Sequence, residues 1–188
     1  MADFFKHDTA LVESDQIGLG TRIWAYTHIM RGAKIGEGCN ICDHSFIESG
    51  AVIGNNVTIK NGVSIWDKVT IEDQVFLGPN VALTNDLWPR SKKADWQVVE
   101  TLIKQGATIG ANATIVCGVS IGQYAMVGAG SVVTRNIPDY GLSYGNPARV
   151  CGWVCRCSKK LIFDSNISNC QCGLKYQKIE NKVSLLLE

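Results

Sequence analysis

The sequence predicts an all-β chain wound as a three-sided prism, and three periodic series predict it. Stepping by six from Leu11 meets Ile17, Ile23, Ile29, Ile35, Ile41, Ile47, Ile53, Ile59, Ile65, Ile71, Leu77 and Leu83, so all thirteen positions are Ile or Leu. Two residues before each lies a second series, nearly all small or β-branched: Thr9, Asp15, Thr21, Thr27, Ala33, Cys39, Ser45 and Ala51, then Val57 to Val81 in steps of six. Positions two apart on a strand share a face, so each hexad turns one large and one small side chain inward. Three residues before each large aliphatic lies the third series. From residue 20 onward it is Gly or Asn at eleven of sixteen positions: Gly20, Gly32, Gly38, Gly50, Asn56, Gly62, Asn80, Gly106, Asn112, Gly118 and Gly130. Gly and Asn tolerate the positive φ of a sharp corner. Three flat faces of six residues make a coil of 18, with coils stacked about 4.8 Å apart, the spacing of paired strands.

Composition agrees with a folded, enclosed core. The chain has 188 residues, 46% of them hydrophobic, with 18 Lys and Arg against 17 Asp and Glu. That balance speaks against a dedicated nucleic-acid binder, and the apolar content speaks against disorder. No apolar run has the length of a membrane span. The first residues, MADFFKHDTALVESD, lack a basic then apolar leader, so a cytoplasmic protein is expected. Eight cysteines without such a leader point to reduced thiols or a metal site.

The aliphatic series breaks after Leu83 and resumes as Ile109, Ile115, Ile121, Val127 and Val133 in a new register. Residues 84–105 are therefore expected to leave the prism as a long excursion, and loops of that length inside a repeat usually serve function. The prism is expected over residues 1–150 and a small cysteine-rich appendage over 151–188.

The hexads resemble the hexapeptide-repeat family, the left-handed parallel β-helix of many acyltransferases; the hand comes from the resemblance alone. The closing segment VGAGSVVTRNIPDYGLSYGNPARV resembles the end of acetyl-CoA-dependent members. The resemblance implies that Gly128, Ala129 and Gly130 meet the pantetheine arm and that Arg135 and Arg149 meet the nucleotide end. The stretches WAYTHIMRGAKIGEGCNI, VTIKNGVSIWDKVTIEDQVFLGPNVALTNDLWPRS and GATIGANATIVCGVSIG resemble the nucleotide-linked 3-amino-sugar N-acetyltransferases of bacterial surface-glycan pathways. That implies a homotrimer with sites between subunits and a UDP- or dTDP-linked amino-sugar substrate. From the charge balance and the lack of an apolar span, no nucleic-acid partner and no membrane partner are expected.

The spacing itself nominates a site. Arg31, Ser49, Asp67 and Asn85 are 18 apart and each follows a core aliphatic by two, so they should form one outward polar line about 14 Å long. The line ends where the excursion begins, which nominates Asn85 and Asp86 as catalytic and Arg31, Ser49, Asp67 and Arg90 as substrate-binding. Trp66 is a candidate cover for a base or sugar ring, or a packing residue between subunits. His28 should face outward near the lower end of the line, as a nucleotide contact or an inter-subunit hydrogen bond; His44 stands at a corner and reads as structural. The three histidines, His7, His28 and His44, all lie outside the excursion. An amino-sugar nitrogen with a pKa near 8 is partly free base at neutral pH and needs less help than a hydroxyl, so N-acetylation is expected over O-acetylation. Zinc chemistry of the carbonic-anhydrase kind is disfavoured, because His28 and His44 are 16 apart rather than 18. A non-catalytic binding β-helix is the remaining alternative. In the appendage, Cys155, Cys157, Cys170 and Cys172 form two C-x-C pairs twelve residues apart. Four thiolates in close pairs suit a structural zinc, although the usual spacing is C-x2-C. Cys39 falls on the inward small series and Cys42 on an outward position.

Overall fold

The computed structural model describes residues 3–186; Met1 and Ala2, and Leu187 and Glu188, at the ends of the two expected domains, lie outside the described residues. Two-residue strands recur every six residues. They begin with β1 (Phe5–Lys6), β2 (Leu11–Val12), β3 (Arg22–Ile23), β4 (His28–Ile29), β5 (Lys34–Ile35), β6 (Asn40–Ile41), β7 (Phe46–Ile47), β8 (Val52–Ile53) and β9 (Thr58–Ile59). They continue with β10 (Ser64–Ile65), β11 (Val69–Ile71), β12 (Phe76–Leu77) and β13 (Ala82–Leu83). After the excursion come β14 (Thr101–Ile103), β15 (Thr108–Ile109), β16 (Thr114–Ile115), β17 (Ser120–Ile121), β18 (Met126–Val127) and β19 (Val132–Val133). The chain ends with β20 (Gly141–Gly145), β21 (Ala148–Val154), β22 (Lys160–Leu161), β23 (Ile167–Asn169), β24 (Lys175–Ile179) and β25 (Lys182–Leu186).

Within the prism, each strand pairs in parallel with those one coil away. One face runs β1-β3-β6-β9-β12-β15-β18-β20, a second β2-β4-β7-β10 followed by β13-β16-β19, and a third β5-β8-β11-β14-β17. The register inside the coils is 18, as in Arg22↔Asn40 and Asn40↔Thr58. This is the parallel β-solenoid that the hexad phase predicts. Ile23, Ile29, Ile41, Ile47, Ile59 and Ile65 are 0% exposed, and each such side chain contributes about 1.5–3 kcal/mol of burial. Some inward hydroxyls are satisfied locally: Thr21 Oγ1 donates to the Gly36 carbonyl at 2.8 Å and Ser45 Oγ to the Cys42 carbonyl at 2.7 Å, whereas those of Thr101 and Ser131 are buried without a partner among the described residues. All sixteen corner positions have positive φ, from Gly20 to Gly130, including the five that are neither Gly nor Asn: Tyr26, His44, Lys68, Gln74 and Tyr124.

The sequence phase errs in three places. Leu11 is 54% exposed and Val12 takes the inward slot, because β1 and β2 pair 17 residues ahead, as in Leu11↔His28. Cys42 keeps its outward position, where Asn40 Nδ2 donates to its Sγ at 3.4 Å; it is covered there, and burial raises its thiol pKa, as it does that of the core residue Cys39. The excursion ends at residue 100, because Thr101 and Ile103 re-enter the third face as β14. The register across it is 32, as in Leu83↔Ile115, which against 18 elsewhere is an insertion of 32 − 18 = 14 residues. The boundary at 150/151 falls inside β21, which pairs antiparallel with β20 and β22. A second apolar cluster of Tyr140, Trp153, Cys155, Leu161, Tyr176 and Val183 joins the appendage to the last coil.

Candidate functional site

One edge of the prism carries the polar line. Paired strands stack His28 on Phe46 and Phe46 on Ser64, so the corners that follow them also stack. A Cβ on Gly32 would lie 2.8 Å from Ser49 Oγ, and one on Gly50 would run into Asp67 Oδ1. Only corners without a side chain leave room for these polar groups. Asp67 is half-buried, and its backbone N–H donates to Glu48 Oε2 at 2.8 Å. Asn85 lies one coil further, where the chain departs. Its carbonyl accepts the Val99 N–H at 2.9 Å, which closes the neck of the excursion. Thr84 Oγ1 accepts the Cys117 N–H at 2.9 Å from the coil beyond.

The excursion folds back over this neck. Asn85, Asp86, Arg90, Lys92, Lys93 and Trp96 line a cavity of about 470 Å³. Asp86 Oδ1 accepts the Trp88 N–H at 2.8 Å, which uses one of its two carboxylate oxygens. Beside the returning strand, Lys68, Thr70, Glu100, Leu102, Gly118 and Asn136 line a groove of about 460 Å³. The cationic residues of the basin other than Arg90, and the returning wall of the groove, escaped the sequence reading. The signal was present, since Ile103 is six residues before Ile109 and Thr101 is two before Ile103. A larger hollow of about 660 Å³ lies among Pro138, Val150, Trp153 and Lys178; it shares no residue with the polar edge.

The other nominated residues fall in three places. Trp66 is half-buried; its indole N–H donates to the Leu83 carbonyl at 2.6 Å and its ring lies 5.7 Å from Phe46. It therefore braces the departure of the excursion. His28 pairs within its own chain, Nε2 to Glu13 Oε2 at 3.0 Å, three coils or about 14 Å from the coil of Asn85. His44 stacks on Tyr26 at a different corner, with ring centroids 5.0 Å apart. Arg135 sits on the same edge as Asn85, two coils further on through Leu83↔Ile115 and Ile115↔Val133, about 10 Å along the edge.

Gly128, Ala129 and Gly130 turn the neighbouring corner, one face away from Arg135. The tip of the β20–β21 hairpin leans on that corner. Val127 pairs with Ser143 and Tyr144 with Arg149, and a Cβ on Gly128 would lie 2.8 Å from Tyr144 Cβ. The Asn146–Pro147 bond at the hairpin tip is cis. One chain thus presents Asn85 and Arg135 on one edge, and the Gly-Ala-Gly corner with Arg149 on another.

The chain is similar to known proteins along most of its length. The bacterial transferase hexapeptide repeat matches residues 50–85 and 100–135, and the hexapeptide repeat of succinyl-transferase matches residues 32–66. The chain is 58% identical over 183 residues to the dTDP-3-amino-3,6-dideoxy-alpha-D-galactopyranose 3-N-acetyltransferase of Aneurinibacillus thermoaerophilus, covering 97% of this chain and 95% of that one. The chain belongs to the hexapeptide-repeat acetyltransferases. Serine acetyltransferase 2 of Arabidopsis thaliana is 39% identical over 118 residues, 63% of this chain but 30% of that protein. Among solved structures, the acetyltransferase domain of PglB from Neisseria gonorrhoeae FA1090, in complex with acetyl coenzyme A, shares the fold. It has a TM-score of 0.57 and 22% identity, and the match covers 66% of this chain and 54% of that one. In this hexapeptide-repeat enzyme the two matched blocks flank the excursion, so the family pattern ends and restarts at the rim of the basin.

Proposed function

We propose that the chain is an acetyl-CoA-dependent N-acetyltransferase acting on the 3-amino group of a dTDP-linked 3-amino-3,6-dideoxyhexose. It would work in the cytoplasm as a homotrimer, in the assembly of a bacterial surface glycan. The near-full-length 58% identity to the galactose-configured enzyme carries this reading. The same identity favours dTDP over UDP and a 6-deoxyhexose over a glucuronate, which the sequence leaves open.

The chemistry of the edge supports an amine nucleophile. Asn85 and Asp86 share the basin with no imidazole: His7 and His28 lie in the first coils and His44 at another corner. An α-amino-like nitrogen of pKa about 8 supplies its own free base. The Asn85 side-chain carbonyl accepts one amine hydrogen and aims the lone pair at the thioester carbon. Asp67 and the free oxygen of Asp86 hold neighbouring sugar hydroxyls. Arg90, Lys92 and Lys93 offer charge to a diphosphate, the chemistry for which clustered cations are suited. Attack forms a tetrahedral carbon; its collapse breaks the C–S bond, and the CoA sulfur, of thiol-like pKa about 8.5, takes the amine proton. Most of the acceleration then comes from positioning.

The homotrimer is supported by the division of the nominated groups between two edges of one chain, which a second copy would bring together. Trp88, 78% exposed, and Trp96, 48% exposed, add uncovered apolar rings on the excursion. Steady-state kinetics with dTDP- and UDP-linked 3-amino sugars tests the reading. Asn85→Ala should lower kcat by about ten- to a hundredfold, the worth of one hydrogen bond to a reacting group. An unchanged kcat and KM would remove Asn85 from the centre, and turnover of the UDP sugar alone would overturn the dTDP assignment.

A further inference from the structure

The appendage contains a cluster that the acetyl transfer does not use. The Sγ atoms of Cys155, Cys157, Cys170 and Cys172 all lie within 4.8 Å of one another. The closest pairs run across the two motifs, Cys155 to Cys172 at 3.4 Å and Cys157 to Cys170 at 3.5 Å. A tetrahedral zinc thiolate with Zn–S near 2.3 Å needs sulfurs about 3.8 Å apart, a small adjustment from these positions.

The backbone repeats itself around the cluster. In the first motif the Cys155 N–H donates to the Lys159 carbonyl at 2.8 Å and the Ser158 N–H returns to the Cys155 carbonyl at 2.8 Å. In the second, the Cys170 N–H donates to the Leu174 carbonyl at 2.8 Å and the Gly173 N–H returns to the Cys170 carbonyl at 3.0 Å. The fourth residue of each turn is left-handed, Ser158 at φ 69° and Gly173 at φ 92°. Two copies of one turn thus face each other, each pointing two sulfurs at a common centre. A C-x-C pair followed by a left-handed residue does here what the longer C-x2-C spacing does elsewhere.

The surroundings suit thiolates. Tyr176, 0% exposed, accepts the Arg156 N–H at 3.0 Å, and its own hydrogen is then free for Cys155 Sγ at 3.2 Å. The Cys157 N–H also points at Cys155 Sγ, at 3.5 Å. Partners of this kind orient ligands and offset the charge of a metal–thiolate centre.

We infer that Cys155, Cys157, Cys170 and Cys172 bind one structural zinc ion, which fastens the β22–β25 ribbon beneath the β20–β21 hairpin. On binding, each thiol gives its proton to solvent and each sulfur donates an electron pair to the ion; nothing is oxidised. With four protein ligands the ion keeps no open position, which fits a structural site. Tyr140, Trp153 and Tyr176 connect the site to the last coil, so the ion closes a clasp at the end of the prism.

Elemental analysis of the reduced, full-length protein should give one zinc per chain. Competition against a chromophoric chelator should show Cys157→Ser and Cys172→Ser weakening zinc by more than about a hundredfold, beyond the loss of an outer partner. Cys151→Ser, an exposed thiol outside the cluster, should bind as tightly as wild type. If the serine variants do not fold, cobalt-loaded wild type should still show thiolate charge-transfer and tetrahedral ligand-field bands. Hydrogen exchange after zinc removal should open residues 155–186 and leave the coils protected. Absence of zinc from protein that holds free thiols, bound iron instead, or a mass lower by the hydrogens of two disulfides would overturn the site. Unchanged protection of the ribbon after zinc removal would overturn its structural role.

Discussion

At the scale of single residues, the corners separate what phase dictates from what residue type dictates. Gln74 and Lys68 adopt φ of 60° although neither is a usual corner residue. Coil geometry imposes the left-handed conformation, and Gly or Asn merely lowers its cost. Two substitutions should therefore move stability in opposite directions. Gly62, at φ 74°, has Asn80 Oδ1 2.5 Å from where a Cβ would stand. Gly62→Ala should cost about 1–2 kcal/mol from the left-handed conformation alone, with crowding on top. Gln74→Gly removes a similar strain but frees the unfolded chain by about 0.5–1 kcal/mol, so it should be neutral to slightly stabilising. Thermal unfolding of both variants checks the pair, and a lower Tm for Gln74→Gly would refute the argument. The inward series was legible for the same reason: Ile23 to Val133 face a core with one repeating slot. The first coil was not, because a 17-residue step moved Leu11 outward and Val12 inward without changing the hydrophobic pattern.

At the scale of elements, the excursion was visible as a break in phase, but its far end was not. Thr101 and Ile103 carry the inward pattern one hexad before Ala107 and Ile109, but a single hexad next to a break is too short a series to stand out. The basin was less legible still. Arg90, Lys92 and Lys93 are ordinary surface cations in sequence, and only the return of the chain from Asn85 to Val99 gathers them. The neck hydrogen bond makes the excursion a closed unit, so it should be removable. Replacing residues 87–97 with a short Gly-Ser bridge should leave the coils folded, with the circular dichroism of the prism unchanged. Acetyl transfer should fall by more than about a thousandfold, since substrate positioning supplies most of the acceleration. Activity near wild type in the shortened chain would move the centre away from the basin.

For the whole molecule, the question is how groups on two edges can serve one reaction. Asn85 and Arg135 lie along one edge, whereas Gly128 to Gly130 and Arg149 lie one face away. Sequence spacing could separate the edges within each block of coils but could not carry the alignment of Asn85 past the excursion, where the register is 32 rather than 18. A ring of copies closed by rotation brings one edge of each subunit against a different edge of the next, the head-to-tail contact of cyclic assemblies. Each site would then take the groups proposed to position the amine from one chain and the corner proposed to bind CoA from its neighbour. Complementation between two defective variants decides this. Asn85→Ala and Arg149→Glu should each be strongly impaired as pure assemblies. Co-expressed in equal amounts and randomly mixed, they should recover about a quarter of wild-type activity, because one interface in four pairs the two intact halves. Sedimentation should show three chains per particle. If both halves of the site came from one chain, every site would keep one defect, and the mixture would stay as impaired as its parents.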